Sequence, residues 1–561
     1  MNQPEPHGLS FPVLMADIEK GLIKIPQFQR DFVWTKEKSA KLLDSILKGY
    51  PIGTFVLWKT KESLRVVRNL GKAKLPDTPA GDFVQHVLDG QQRLTSLFAS
   101  VKGLSIKRED RVDDFSQIYI DLLASEEQDV VTLDVADKNP QTIVKVCDLL
   151  NADLTYLSSF PKNLHPKLSE YKKRLETYQF SVVLVKEAPI DVATEIFTRI
   201  NVTGRPLSVF EIMVAKTYDA TRKFDLAEKY EELVERFKEV DYETIPAAVI
   251  LQAVSGIISK ECSKKAILKL EKSKVIDEWP KTADAIERAI DYFRNYFRIP
   301  VSKLLPYSSL LVPFAYFFYR HPDKPTGDKQ RYLQDLFWRI SLGGRFSFSL
   351  ESRLAQELKR VDAILKGKLP AYDYPVNTSA EFVHENGWFS SGRSYVKAIL
   401  CLFAYHEPKS FIDHSTVRLS NDWLKQANSK NYHHFFPKAF LEKQGEDYWA
   451  INHIINITIV DDYLNKREIR DKAPSRYMAS FKKKNPRLAE TMKTHLIDVE
   501  KFGVWDDDYE RFWKKRAQAI SRELTKRIIP QKIDSSTQEV NTEDFEDPEL
   551  AEEAQGQVVG A

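Results

Sequence analysis

Two stretches of this 561-residue chain hold residue types whose spacing could do chemistry. One is NYHHFFPKAF at 431–440, where His433 and His434 are adjacent in a chain of only 11 histidines. Imidazole is both a ligand for first-row metals and a base that works near neutral pH, so such a pair can set a metal ligand beside a general base. The other is FVQHVLDGQQRLTSLFASVKG at 83–103. It reads as a strand over 83–88, a tight turn at Asp89 and Gly90, and a helix that buries Leu94, Leu97, Phe98 and Val101. That order sets Gln91, Gln92 and Arg93 in the first helical turn, where backbone N–H groups and the positive dipole end attract an anion. Arg93 can add a two-pronged phosphate contact. A helix capped by Asp89, with its polar residues in water, fits the same letters.

The elements that must position these residues are legible around them. TKEKSAKLLDSILKGYPIG predicts a helix with Leu42, Leu43, Ile46 and Leu47 on one face, stopped by Gly49 and Pro51, and GTFVLWK predicts a strand after it. IPQFQRDFVW at 25–34 sets Gln29 and Arg30 between apolar anchors. FTRINVTGRPLSVFEI at 197–212 puts Arg199 and Asn201 at a helix end before Gly204, and Ser208 with Glu211 spells a capping box for the next helix. After His434 comes a proline-bounded turn and then a loop. Asn456 opens the apolar alternating run INITIV, and Asp461 or Asp462 caps a helix whose early residues include Asn465. The order is strand, loop, strand, helix. His453 is a rival metal ligand that reads as a loop or core residue.

Composition bounds the rest. With 43% apolar and 11% aromatic residues the chain can fill the cores of two to four domains. Its three cysteines, Cys147, Cys262 and Cys401, are far apart, which excludes a disulfide framework and a cysteine zinc site. The start of the chain lacks a signal peptide and the apolar run 310–319 is too short to span a bilayer, so a soluble cytoplasmic protein with no membrane contact is expected. The formal charge of +3 hides an asymmetry: nine acids and no base follow Lys532, which leaves +12 on residues 1–533. A basic body suits a polyanion. Four regions follow: a mixed one at 1–225, an almost wholly helical one at 226–420, a mixed one at 421–530 and an acidic, disordered tail at 531–561. Lys466, Arg467, Arg470, Lys472 and Arg476, then Lys482 to Lys484, are expected to contact phosphates without reading sequence.

IPxFQRxxxW, VLDGQQRLTSL and FxRINxTGxxLS, in that order, resemble the N-terminal domain of GmrSD-type type IV restriction enzymes over about residues 10–220. The resemblance implies a ParB/sulfiredoxin-like fold that binds and hydrolyses a nucleoside triphosphate, GTP or ATP, at Asp89, Gly90, Gln91, Gln92 and Arg93, with Gln29 and Arg30 in a second motif. No Walker lysine motif is present, so that hydrolysis would not be of the P-loop kind. The later HH…N…N pattern is similar to the HNH ββα-metal nuclease motif of GmrSD-type C-terminal domains and of RNA-guided CRISPR nucleases. It implies His434 as general base, Mg²⁺ or Mn²⁺ held by His433 and Asn465, and Asn456 bracing the hairpin. The chain so read is an α+β multidomain protein: a ParB/sulfiredoxin-like domain, a helical middle and an HNH ββα-metal domain. Its implied function is NTP-linked, Mg²⁺-dependent cutting of DNA, modified phage DNA above all, in prokaryotic defence. A nucleotide-binding switch with an inactive HNH module and an RNA-cutting toxin are the alternatives. The number of copies in the assembly stays open, a homo-oligomer among the options.

Overall fold

The computed structural model describes residues 5–26, 32–61, 64, 66, 69–70, 73–74, 76, 82–107, 111–125, 128–200, 208–390, 392–419, 421, 432–460, 469 and 471–535. The chain forms two compact units, residues 1–226 and 227–561.

The first unit is built on a five-stranded mixed sheet of β1 (Glu5–Ser10), β2 (Ile23–Lys24), β3 (Phe55–Thr60), β4 (Val84–Asp89) and β5 (Gln179–Lys186). Its order is β1-β5-β3-β4-β2, with β1 antiparallel to β5, β5 parallel to β3, β3 antiparallel to β4 and β4 parallel to β2. Successive strand residues face opposite sides of the sheet, so β3, β4 and β5 each feed two cores. Leu57 and Val87 join one core with α1 (Phe11–Glu19), α2 (Lys36–Leu47) and α3 (Gln91–Lys102). Trp58 and Leu88 join the other, with Ile190, Ala193 and Phe197 of α4 (Ile190–Ile200) and Ala215 of α5 (Val209–Thr217). α2 begins where the Thr35 hydroxyl accepts from Lys38 N and ends where Gly49, at φ +73°, reverses the chain. Its buried stripe is Leu42, Leu43, Ile46 and Leu47, as the sequence predicts. The capping box of Ser208 and Glu211 opens α5.

The second unit begins with helices: α6 (Ala247–Ser259), α7 (Lys272–Asn295), α8 (Leu311–Arg320), α9 (Gly327–Leu342), α10 (Leu350–Leu365), α11 (Ala380–Asn386) and α12 (Ser394–Tyr405). Their aromatic residues are core: Phe297 stacks on Phe337 at 4.2 Å between centroids, and Phe293 meets Phe314 at 4.9 Å. An antiparallel hairpin follows, β6 (Tyr432–His434) with β7 (Ile457–Ile459), and α13 (Lys438–Gln444) lies in the connection. α14 (Pro474–Lys484) and α15 (Tyr509–Thr525) complete the unit, and α15 buries Phe512, Ala519 and Leu524. Helical stretch and histidine segment thus share one compact unit, although composition separates them at residue 420. Among the described residues no helix is long and apolar enough to cross a membrane.

The expected tail differs at its start. Lys532–Ser535 is a 3₁₀ turn, and Asp534 accepts from Arg339 Nη1 (2.9 Å) and Nη2 (2.7 Å), from Gln531 N (2.8 Å) and from Val376 N (3.1 Å). Arg339 is fully buried and also pairs with buried Asp335 at 3.0 Å. A lone acid in a polar run carries no periodic signal, so composition could not mark Asp534 as an anchor. Residues 536–561 lie outside the described residues.

Candidate active site

In the first unit β4 delivers Asp89, and Gly90 turns the chain at φ +91° into α3. A side chain on Gly90 would strike the Phe55 ring, and one on Gly53, at φ +87°, would strike the Arg93 guanidinium. The space they leave is filled by Arg93. It donates to Ile52 O (2.7 Å), Thr54 O (3.0 Å) and Asp89 Oδ2 (3.1 Å), and lies 5.2 Å from the Phe55 centroid. Gln92 Oε1 accepts from Val33 N (2.8 Å) and Trp34 N (3.3 Å). DGQQR therefore ties the flank of the first motif and the 52–54 turn to the start of α3.

Two expectations change here. Arg93 points into the fold, its side chain 17% exposed, because the carbonyls entering β3 and the Asp89 carboxylate give it partners within the chain. Nor does Asp89 cap α3: the capping position is Gly90, and the Asp89 carboxylate meets Arg93 instead. Gln91 and Gln92 are buried. Arg93→Ala is expected to destabilise the unit by about 2–3 kcal/mol, since it strands two carbonyls and a carboxylate in a closed corner. Urea unfolding measures it. Gln29, Arg30, Asn201 and Gly204 lie outside the described residues. Arg199 is exposed and pairs with Glu195 at 2.6 Å.

In the second unit His433 stands opposite Thr458 and His434 opposite Ile457. His433 is 2% exposed, its ring edge-on to Phe411 and Tyr477. His434 is half-buried, and its Nε2 lies 3.0 Å from Asn452 Oδ1. Asn452 Nδ2 donates to Tyr448 O at 2.9 Å, which fixes which end of the amide meets the imidazole. Oδ1 accepts, Nε2 of His434 carries the proton, and Nδ1 is left as the basic nitrogen. Burial lowers the His434 pKa below the ordinary imidazole value, the Asn452 bond opposes that shift, and the Lys438 charge adds to it. A neutral imidazole with a lone pair at Nδ1 can act as a general base at pH 7.

Asn456 is fully buried. Its Oδ1 accepts from Phe436 N (2.8 Å) and its Nδ2 donates to Phe436 O (3.0 Å) and Ile451 O (3.1 Å). One side chain thus joins the segment after His434 to the loop end that carries Asn452. It sits in a 3₁₀ turn, Ile454–Asn456, directly before β7, where the sequence places it in the strand. His453 is core: it packs between Trp449 and Trp513 at 4.9 and 4.5 Å, donates from Nε2 to His384 O (3.0 Å), and accepts at Nδ1 from Ile455 N (3.1 Å).

Sequence reasoning missed three contributors. Asn452 sits four residues after Tyr448, an ordinary helix-end position, and nothing local points from it to His434. Fully buried Arg516 donates to Ile455 O and to His495 O, with Phe403 and Phe512 rings against it. The 387–389 loop bonds the segment before β7 from the helical side, Phe389 N to Asn452 O (3.0 Å) and Ile454 N to Gly387 O (2.8 Å). A side chain on Gly387 would strike the His453 ring.

Asn465, Lys466, Arg467 and Arg470 lie outside the described residues, while Lys472 and Arg476 are exposed. Among the described residues no three His, Cys, Asp or Glu side chains gather as a metal-holding group. Of the donors His433 and Asn465, only His433 is described.

Buried histidines make this unit sensitive to acid. Burial lowers His453 to about 3 and His495 to about 4, and lowers His434 as well. Folded-state values below the unfolded value mean that the unfolded chain takes up protons first as pH falls. The stability they contribute is full above about pH 6.5 and is lost below it, by about 1.4 kcal/mol per pH unit for each histidine until its folded value is reached. Urea unfolding at pH 7 and pH 5 should differ by several kcal/mol on this basis; equal midpoints would show that these rings are accessible to protons in the folded state.

Residues 13–218 match the family model of the GmrSD restriction endonuclease, N-terminal domain. The matched range holds β3 to β5, the DGQQR corner and the capping box of α5. An uncharacterized protein of Methanocaldococcus jannaschii is similar at 26% identity over 93% of this chain and 97% of its own. Over residues 13–218 the chain is thus similar to the N-terminal domain of the GmrSD restriction endonuclease.

Proposed function

We propose that the protein is a metal-dependent DNA endonuclease of restriction type that cuts at the His434 hairpin and is controlled by a nucleoside triphosphate at the DGQQR corner. The observation that carries the reading is the pair of His434 and Asn452, which leaves a basic Nδ1 on a hairpin braced by Asn456. In this reading Nδ1 takes the proton of the water that attacks phosphorus in line with the leaving 3′ oxygen. Asn452 Oδ1 stays on Nε2 and steadies the charged imidazole as it forms. An imidazole and an amide oxygen suit a divalent cation whose shell is completed by water and phosphate, and Mg²⁺ or Mn²⁺ on His433 and Asn465 would supply positive charge at the leaving oxygen. Lys472 and Arg476, with Lys466, Arg467 and Arg470, take backbone phosphates. The first unit, read as ParB/sulfiredoxin-like, senses GTP or ATP, and the second, read as an HNH ββα-metal module, cuts modified phage DNA.

The inward turn of Arg93 favours a second reading, in which DGQQR is only the clamp of the fold and cutting needs no triphosphate. Purified protein with Mg²⁺, with and without each triphosphate, on modified phage DNA, unmodified plasmid and RNA, tests both. Cutting of modified DNA only with triphosphate supports the first, and cutting without it supports the second. Cutting of RNA alone overturns both.

A further inference from the structure

The outer side of α14 carries a feature that the hairpin does not use. Ala479, Lys482 and Lys483 fall on one helical stripe and, with Glu500 and Trp505, line an open cavity of about 420 Å³. Tyr477, Met478 and Phe481 form the buried face of the same helix, and Tyr477 donates to Phe435 O beside the histidines. Trp505 is half-buried, and Lys482 Nζ lies 5.0 Å from its ring centroid. The ordinary account of Lys482 to Lys484 is that cations complement the C-terminal end of a helix dipole. The Lys482 ammonium lies over the indole in a cation–π contact, so a base that stacks there takes the place of the ammonium, which turns to a phosphate. The acids next to the ring have other work: Asp506 lies 3.8 Å from Arg511, Asp507 accepts from Ser475 N and Oγ, and Asp508 caps α15.

We propose that this cavity holds one unpaired base of a nucleic acid strand, stacked on Trp505, with the flanking phosphates on Lys482 and Lys483; the proposal rests on the nuclease reading. Its volume is that of a cleft for one small group, within the usual range of about 300–1,000 Å³. An aromatic face beside cations is the combination that grips single strands, whereas a duplex keeps its bases stacked inside. Glu500 adds selection. A carboxylate only accepts hydrogen bonds, so it favours a base with an amino group on its pairing edge, such as cytosine, over thymine, which offers one N–H between two carbonyls. The cavity lies on the outer side of the helix whose buried Tyr477 bonds the hairpin, about 8 Å of helix rise beyond that residue. The nuclease would thus hold frayed or locally opened DNA.

The test uses the full chain with His434→Ala, so that substrate survives, and short labelled oligonucleotides. Trp505→Ala should weaken single-strand binding about tenfold and leave duplex binding nearly unchanged, while Trp505→Phe keeps most of the affinity. Lys482→Ala with Lys483→Ala should reduce the salt slope for single strands by about 1.4. Oligo-dC should bind more tightly than oligo-dT, and Glu500→Gln should narrow that gap. Unchanged single-strand affinity in Trp505→Ala, or an equal loss for duplex, overturns the proposal. Cutting by the unsubstituted chain is scored separately: cutting with an indifferent Trp505 sinks the cavity alone, whereas no binding of nucleic acid by any form sinks both.

Discussion

His434→Ala is expected to lower the cutting rate about 10²–10⁴-fold while the fold stays near that of the parent, because a general base is lost from an already half-buried site. Asn452→Ala should fall in between. It keeps the base but frees the imidazole to rotate and to exchange its proton between the two nitrogens. Single-turnover cutting against pH separates the two roles. The base works only when neutral, and its pKa is lowered by burial first and by Lys438 as well. The rate should therefore rise with pH along a limb centred below 6.5 and then level off. Lys438→Ala removes a charge that favours the neutral form, so the limb should move to higher pH. Full cutting by His434→Ala would end the assignment of this hairpin as the cutting site.

The second large effect concerns stability. Arg339→Met is expected to cost about 3–5 kcal/mol, because it leaves the buried Asp335 carboxylate without its cation. Burial already raises the Asp335 pKa despite Arg339, whereas hydrogen bonds from Arg339 hold Asp534 below the usual carboxylate range against its lesser burial. Truncation reads the same contact from the other side. A chain ending at residue 533 loses the four hydrogen bonds of Asp534 and should melt earlier, while a chain ending at 535 should melt with the parent. The chain ending at 535 also lacks eight acids, so at low salt it should bind DNA more tightly without specificity. Equal melting of all three chains would show that the Arg339 network does not hold this end in place.

What the sequence made legible was local. The α2 stripe, the turn at Gly90 and the capping box of Ser208 and Glu211 follow from neighbours within four residues, where spacing and residue type decide the backbone. The histidine pair and Asn456 were legible by type and order. What stayed hidden depends on partners far along the chain. Arg93 reads as a phosphate fork until β3 brings Ile52 and Thr54 to it, 41 and 39 residues away. Asn452 reads as a helix end until the hairpin closes across 18 residues and sets it on His434. Arg516 reads as one more solvated cation in a charged helix, and only the tertiary packing of Phe403 and Phe512 shows it buried. Asp534 reads as part of an acidic tail for the same reason.

The bonds from the 387–389 loop have a consequence for anyone who would move this hairpin into another protein. Gly387 and Phe389 hold the backbone at Ile454 and Asn452, and Phe403 of α12 underlies Arg516, so the support for His434 begins well ahead of the histidines in the chain. A graft cut at residue 421 would carry His434 and Asn456 without the wall that aims Asn452. The hairpin is not a portable cassette, and a transplant that keeps its chemistry must start before α11 and run through α15.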